Sequence, residues 1–314
     1  MKFPIFPEQA STISKSVDNL YYALTALSGF MVLLILAAIL YFVLKYRQGK
    51  KADRSPARLP QMTIEVTWIV IPLLLFMGMF AWGANVFFTQ QSPPPGALKI
   101  NVIGKQWVWK VQHPEGNREI NELHVPAGRN IKLTLASQDV IHSLYLPAFR
   151  TKMDVVPGRY TTEWFQATKL GTYHLFCAEY CGTKHSGMGG RVIVMDPTEY
   201  QAWLTSGKPG STLAQEGEQL FLNLGCSGCH LGNSIVRAPP LEGLYGRPVP
   251  LQNGQVVLAN EGYIRDSILL PQSQITAGYA PVMPSYQGHV TEEELFLLVE
   301  YIKSLGSQTP EARK

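Results

Sequence analysis

The chain opens with two long runs of residues that carry no charge. The first lies between Asp18 and Lys45, and the second extends from Val66 to Leu98. Because about 20 apolar residues in a helix span a hydrocarbon core of roughly 30 Å, each run is long enough to cross a membrane. We therefore predict an N-terminal segment and two transmembrane helices, at residues 1–20, 21–45 and 63–90.

A cleaved signal peptide is the alternative for the first run. Such a peptide has a basic start, a short apolar core and a small-residue cleavage site. Here the start is mixed, with Lys15 and Asp18, and the run ends in Lys45-Tyr46-Arg47. These features favour a helix that is retained.

The segment between the two apolar runs is basic. Between Lys45 and Pro60 it carries six lysine and arginine side chains against the single acid Asp53. Short loops with an excess of Lys and Arg remain in the cytoplasm. The pattern predicts a cytoplasmic loop at residues 46–62, with the N-terminal segment and everything after the second helix facing outward.

After the second run the hydrophobic period changes from that of helices to that of strands. Alternating segments at 99–102, 130–135, 173–176 and 191–194 are separated by Pro-Gly and Leu-Gly turns. About a hundred residues of short strands predict a β-sandwich or barrel at 91–200. A Gly-rich and Ser-rich linker at 201–213 leads to helical patterns at Ala214–Leu224 and Thr291–Leu305, which predict a small helical domain at 214–308 and a tail at 309–314.

Composition and charge agree with a partly membrane-embedded chain. Apolar residues make up 46% and charged residues 16% of the 314 residues, which excludes a disordered protein. The net charge of +4 is small and no long basic run occurs, so we expect no nucleic-acid partner. The four cysteines form two close pairs, which is more typical of cofactor chemistry than of a disulfide scaffold.

The first cysteine pair lies in a short segment rich in metal ligands. Cys177, Cys181, His185 and Met188 fall within twelve residues, and His142 lies upstream. Thiolates with imidazole and a thioether are the ligand set for copper in electron transfer, and two thiolates can bridge two copper ions. A disulfide or a Cys₂His₂ zinc site are the alternatives.

The motif C-A-E-Y-C-G-x-x-H-S-G-M, together with Asp139-Val140-Ile141-His142-Ser143, resembles the dinuclear copper (CuA) site of subunit II of cytochrome c oxidase. The resemblance implies a cupredoxin barrel. It also implies six copper ligands: the side chains of His142, Cys177, Cys181, His185 and Met188, and the backbone carbonyl of Glu179. It further places the Glu179 carboxylate near a magnesium ion shared with subunit I.

Four more positions match the same family. The aromatic strip of this family is similar to the segment Gly104-Lys105-Gln106-Trp107-Val108-Trp109, and this likeness implies electron entry through Trp107. A tryptophan in a strand, however, more often belongs to the core. Asp139 and Asp154 match acidic positions near a donor-docking face. Glu65 matches the entrance of a proton path, but it can equally serve the N-terminal end of its helix.

The second cysteine pair forms a haem attachment motif. Cys226-Ser227-Gly228-Cys229-His230 is C-x-x-C-H, which predicts two thioether bonds to haem c and His230 as an iron ligand. A thioredoxin-like redox motif is the alternative, but it lacks the histidine and lies in a βαβ pattern. Met283 is the expected distal ligand, with His289 as its competitor.

Flanking residues are similar to those of small cytochromes c. Gly217, Phe221 and Tyr301 resemble the packing residues of the terminal helices, and the segment 237–241 resembles the one whose proline carbonyl accepts the N–H of the proximal histidine.

Together the two halves resemble the caa(3)-type branch of bacterial haem–copper oxidases. The fold class expected is a multidomain membrane protein: a two-helix transmembrane hairpin, an all-β cupredoxin-like barrel and a small all-α cytochrome c domain. The resemblance implies a multi-pass protein of the bacterial inner membrane with its metal domains on the periplasmic side. Electrons would pass from an external cytochrome c or similar donor to haem c, to CuA and to haem a of subunit I, which also holds haem a3 and CuB.

Four other functions can be weighed against this interpretation. A quinol oxidase subunit lacks the copper cysteines, and a nitrous-oxide reductase is disfavoured by the transmembrane hairpin. A nitric-oxide reductase subunit with CuA and haem c stays open. A copper-assembly factor also uses C-x₃-C with a histidine, but it would show a βαβ pattern rather than short strands followed by a cytochrome.

Overall fold

The computed structural model describes residues 6–51, 60–206, 211–231 and 236–306. Part of the predicted basic loop, including Arg54 and Arg58, lies outside these residues, as do 207–210 of the linker and the tail. The chain divides into two compact units: one comprises Thr12–Ser92, and the other comprises the first eleven residues with Pro93–Lys314.

The first unit consists of two long helices, α1 at Ser14–Tyr46 and α2 at Gln61–Gln91, which contact each other. Both are long and apolar enough to cross a membrane. Most of their large apolar side chains are exposed, as expected for helices whose solvent is lipid. Helix α1 begins seven residues before the predicted start, because Ser14–Leu20 continues the helix with a more polar sequence than the spanning part.

The second unit begins with ten strands. Their bounds are β1 Leu98–Lys105, β2 Val108–Gln112, β3 Arg118–Ile120, β4 Glu122–Pro126, β5 Asn130–Ser137, β6 His142–Leu146, β7 Thr151–Val155, β8 Thr161–Gln166, β9 Gly171–Cys177 and β10 Gly189–Met195. They form two five-stranded sheets, β3-β2-β1-β5-β8 and β4-β10-β9-β6-β7. Inward side chains such as Ile100, Leu133 and Leu175 are at most 1% exposed and form the core between the sheets. This β domain confirms the predicted all-β, cupredoxin-like fold.

The predicted linker is partly helical. Helix α3, at Pro197–Ser206, covers its first six residues and packs on the β domain through Tyr200 and Leu204, which are 0% and 5% exposed. Its apolar residues, Tyr200, Ala202, Trp203 and Leu204, form too short a pattern to stand out in the sequence.

The last part of the chain is a small helical domain. Its elements are α4 Leu213–Asn223, α5 Ser227–His230, the strands β11 Pro248–Pro250 and β12 Val256–Leu258, α6 Glu261–Leu269 and α7 Glu292–Ser304. Helices α4 and α7 agree with the predicted segments, and each begins with a capping box, on Thr212 and Thr291. The structure thus confirms a β domain followed by a small helical domain.

Helices α4 and α7 cross at close range because Gly217 has no side chain. A Cβ atom at this position would lie 2.0 Å from the carbonyl oxygen of Leu297 and 2.8 Å from Cβ of Tyr301. The rings of Phe221 and Tyr301 pack beside this crossing with centroids 5.2 Å apart. The three residues predicted as terminal-helix packing therefore meet.

We expect Gly217→Ala to destabilise the helical domain by about 1–3 kcal/mol, the usual cost of overpacking a core. The helix backbones must separate, since the clash is with backbone rather than with a flexible side chain. Gln219→Ala, at an exposed position of α4 two residues after Gly217, serves as the control. Thermal unfolding followed by haem absorbance tests the prediction. Equal midpoints for the two variants would contradict it.

Candidate metal centres

The predicted copper ligands meet at one end of the β domain. His142 begins β6 and Cys177 ends β9, and the pairing of Leu144 with Cys177 places these strands side by side. The loop after β9, residues 178–188, is called the copper loop below. It contains Cys181, a short 3₁₀ turn at His185–Gly187 and Met188, and it brings their side chains to the same place. The fold therefore brings together the upstream histidine and the contiguous loop.

The side chains of Cys177, Cys181, His185 and Met188 lie close together around the two cysteine sulfur atoms. Sγ of Cys177 lies 3.8 Å from Sγ of Cys181, so no disulfide joins the two cysteines. Sγ of Cys181 is 3.5 Å from Nδ1 of His185 and 3.6 Å from Sδ of Met188. Cys177, Cys181 and Met188 are at most 8% exposed, which suits a site shielded from water.

His142 is held so that one ring nitrogen is available to a metal. Its Nε2 lies 2.7 Å from Oδ1 of Asp139. Burial disfavours the carboxylate, but hydrogen bonds from the Gln106 N–H and His142 outweigh this and lower the pKa of Asp139. A carboxylate only accepts, so the proton is on Nε2. Nδ1 is buried without a hydrogen-bond partner among the described residues, which is the arrangement of a metal-ligating histidine.

The two thiols differ in their tendency to ionise. Burial works against ionisation of Cys177, but the neighbouring His142 ring and backbone hydrogen bonds from Ser143 and Glu179 lower its pKa. Burial and the adjacent Cys177 raise the pKa of Cys181. Cys177 therefore loses its proton first, and the site presents the thiolate that soft metals prefer.

Glu179 and Trp107 both adjoin this cluster. The carbonyl oxygen of Glu179 lies 3.2 Å from Sγ of Cys177, while the residue itself is exposed. Trp107 is half-buried and lies against the copper loop, since a Cβ on Gly182 would be 3.4 Å from its ring. Lys184 Nζ lies 5.8 Å from the Trp107 ring centroid.

Trp109 belongs to the core. It is 0% exposed and meets the His142 ring edge-on at 5.9 Å.

Of the two acids predicted near a docking face, Asp139 supports His142, whereas Asp154 accepts hydrogen bonds from Lys152 and Ser143, both at 2.7 Å. Glu65 is half-buried in the first turns of α2.

The helical domain contains a partly open cavity that is lined mainly by apolar side chains. Cys226, His230 and Met283 line it, together with apolar side chains of α4, α6 and α7. This predominantly apolar lining suits a porphyrin. Nδ1 of His230 lies 3.1 Å from the carbonyl oxygen of Pro239, so the predicted proline contact is present. Burial lowers the pKa of His230, which favours the neutral imidazole.

The competing residue His289 is exposed at the surface, whereas Met283 packs on the helical core. Tyr286 was not expected at this site. It lines the cavity, donates to the Leu224 carbonyl at 3.0 Å and lies 4.0 Å from Sγ of Cys226. Its position three residues after Met283 is the only sequence feature that could have indicated it.

A second polar cluster, also unexpected, joins α3 to the β domain. Oε1 of Glu119 lies 2.8 Å from Nε2 of His113, whose Nδ1 lies 3.0 Å from the hydroxyl oxygen of Tyr200. The other carboxylate oxygen of Glu119 contacts His124 Nδ1. Glu119, Glu122 and His124 are close enough to hold a metal. However, Glu119 is already bonded to two histidines and Glu122 pairs with Arg191, so we assign the cluster a structural role.

This cluster predicts acid sensitivity of the β domain. Burial opposes ionisation, but hydrogen bonds from His113 and His124 lower the pKa of Glu119 to about 2. A carboxyl group with a depressed folded pKa stabilises above its ordinary value of 4.5, and this stabilisation is lost as pH falls toward 2. Between pH 5 and pH 3 the unfolding midpoint should therefore fall more steeply in the wild type than in Glu119→Gln. Parallel pH profiles in calorimetry would refute this.

Comparison with known proteins agrees with this geometry. Residues 117–196 match the family described as cytochrome c oxidase subunit II, periplasmic domain, and residues 214–306 match the cytochrome c family. The first of these implies copper and the second implies haem. Both fit the chain, because a buried imidazole nitrogen faces two thiols in one domain and C-x-x-C-H lines an apolar cavity in the other.

Curated relatives extend the match over most of the chain. Cytochrome c oxidase subunit 2 of Alkalihalophilus pseudofirmus is 31% identical over 92% of this chain and 86% of its own length. That of Thermostichus vulcanus is 29% identical over 63% of this chain and 77% of its own. The solved periplasmic domain of cytochrome oxidase subunit II from Bradyrhizobium japonicum is 30% identical and covers 38% of this chain and 100% of its own, with a TM-score of 0.37. With two apolar helices, a cupredoxin-like domain and a cytochrome c domain in one polypeptide, the chain belongs to the cytochrome c oxidase subunit II family.

Proposed function

We propose that this chain is the electron-entry subunit of a proton-pumping caa(3)-type oxidase. It receives electrons from an external donor on haem c and delivers them through CuA to haem a of subunit I, where oxygen is reduced to water. The observation that carries the proposal is the buried pair of thiols at 3.8 Å, faced by imidazoles, in the same unit as the C-x-x-C-H cavity.

The chain's own residues would hold the copper pair from all sides. Cys177 and Cys181 supply the two sulfurs, His142 and His185 supply one nitrogen each, and Met188 and the Glu179 carbonyl complete the set. When bound, the copper pair would supply one-electron transfer. Asp139 fixes the His142 ring and its tautomer, and the low exposure of the sulfurs excludes water.

In the helical domain Cys226 and Cys229 would attach the haem, with His230 and Met283 as iron ligands. The Pro239 carbonyl orients His230, and a Met/His pair suits a carrier of relatively high potential. Half-buried Trp107, whose ring lies beside Gly182 of the copper loop, would pass electrons toward the copper pair.

The membrane arrangement has a structural support of its own. Ala10 donates its N–H to the Ala148 carbonyl at 2.9 Å and Ser11 donates to Phe149, so the segment before α1 lies on the β domain. This contact supports placing both ends of the apolar region on the same side of the membrane, with an even number of crossings. We infer two, with a cytoplasmic loop between them and the metal domains in the periplasm. Glu65 would then lie at the cytoplasmic entrance of a proton path, and the exposed Glu179 carboxylate could share magnesium with subunit I.

Metal analysis of the full-length chain tests the copper assignment directly. We expect two copper atoms and one covalently attached haem c per chain, with an EPR signal of one electron shared by both coppers. One copper, or zinc alone, on a folded chain would reject the dinuclear site. In the purified complex, haem a beside a second copper supports the oxidase, whereas non-haem iron beside haem b would indicate nitric-oxide reduction.

A further inference from the structure

The helical domain covers the outer face of the sheet β3-β2-β1-β5-β8. Ile103 of β1 and Ala136 of β5 are paired in register and point away from the core, yet they are 0% and 1% exposed. Phe296 of α7 lies over them at 1% exposure and stacks on Tyr160 with centroids 4.8 Å apart. These four residues, the docking patch, hold the two domains together by apolar burial.

Charged groups surround the docking patch. Arg265 of α6 is 5% exposed, donates to the Gly158 carbonyl at 2.7 Å and pairs with Glu292 at 2.8 Å. Glu293, the residue after Glu292 in α7, contacts the β domain itself. Lys110 Nζ donates to one of its carboxylate oxygens at 2.5 Å. Because Arg265 is buried, its bond to Gly158 across the two domains helps to fix their orientation, whereas the Arg265–Glu292 pair lies within the helical domain and the Lys110–Glu293 pair is partly exposed.

The second carboxylate oxygen of Glu293 accepts a hydrogen bond from the side-chain amide of Gln138. The backbone N–H of Gln138 donates to the Gly104 carbonyl at 3.0 Å, and its neighbour is Asp139, the partner of His142. The backbone of Gly104 and the ring of His142 are closely packed, since a Cβ on Gly104 would lie 2.9 Å from the His142 ring. A shift of residues 138–139 is therefore transmitted to His142.

We propose that Glu293 is a positioning residue: from the cytochrome c domain, it holds Gln138 and Asp139 in place and so fixes the copper ligand His142. Docking of the haem domain and the geometry of the copper site are then coupled through two hydrogen bonds, Glu293–Gln138 and Asp139–His142, joined by the peptide bond between residues 138 and 139. This inference rests on the proposed copper site. It adds that the haem domain helps to build the centre that receives its electron.

The test compares copper affinity and the nitrogen hyperfine couplings of the copper EPR signal in full-length variants. An outer partner of a metal-bound histidine contributes about 10–100-fold in metal affinity, so Asp139→Asn sets the upper end of the scale. We expect Glu293→Ala and Gln138→Ala each to lower copper affinity by up to about tenfold and to change the couplings of one of the two histidines. Lys110→Met, which keeps the contact between Glu293 and Gln138, should retain both wild-type values.

Wild-type affinity and couplings in both Glu293→Ala and Gln138→Ala would overturn the inference. So would a change in Lys110→Met as large as that in Glu293→Ala, since the effect would then arise from charge alone. Gln138→Ala removes a partly exposed amide, and it decides the test even where Glu293→Ala does not fold. A wild-type chain without the shared-electron copper signal would instead reject the proposed function.

Discussion

Replacing Cys177 with serine should abolish electron delivery to subunit I while leaving haem c reducible. The hydroxyl is a hard, neutral ligand and cannot replace the thiolate that Cys177 provides. Since even an outer hydrogen-bond partner of a metal ligand is worth about 10–100-fold in affinity, loss of this ligand should reduce turnover by more than about 100-fold. Copper content, the copper EPR signal and oxygen consumption of the complex measure the effect.

The matched control for this variant is Thr183→Ala. Thr183 is exposed in the same loop, two residues after Cys181, and we expect wild-type copper content and turnover. Turnover at the wild-type rate in a Cys177→Ser complex shown to lack copper would contradict the assignment. The cytochrome domain would then deliver its electrons by another route.

Met283→Ala should lower the reduction potential of haem c without detaching the haem. The two thioether bonds to Cys226 and Cys229 do not involve Met283, whereas loss of the sulfur ligand removes its preference for ferrous iron. We expect a fall on the order of 0.1 V, within the range of about 0.8 V that axial ligands span. Potentiometric titration and the sulfur-to-iron absorption band report the change.

Exposed His289 provides the control for the distal ligand. His289→Ala should keep both the potential and the band, because its side chain lies at the surface. If the wild type lacked the band, and His289→Ala rather than Met283→Ala changed the potential, His289 would be the distal ligand instead.

The residues proposed as metal ligands could be recognised in the sequence largely because most of them are local. Cys177, Cys181, His185 and Met188 lie in one loop, and Cys226 and His230 lie in one turn, so spacing alone reveals them. His142 is distant in sequence and was placed by resemblance. The strand pairing of β6 with β9 supplies the physical reason for its position. The two apolar helices could also be recognised in the sequence, because a helix that crosses a membrane needs an apolar run of about 20 residues, which few other structures need.

The contacts that position these ligands could not be read from the sequence. The bond from Asp139 to His142, the cluster around Glu119 and the docking patch all depend on tertiary pairing. For example, Glu293 meets Gln138 across 155 positions. Ile103 and Ala136 follow an ordinary strand pattern, and only the structure reveals that a helix of another domain covers them.

The most direct test of the central claim is the order in which the metal centres of the intact oxidase complex become reduced after rapid mixing with an external reductant. The haem domain is tethered to the copper domain and docked on it, so transfer from haem c to copper is intramolecular. We predict that haem c is reduced first, copper second and haem a third, with a haem c-to-copper rate that is independent of complex concentration. Copper or haem a reduced before haem c, or a rate that rises with complex concentration, would contradict the account.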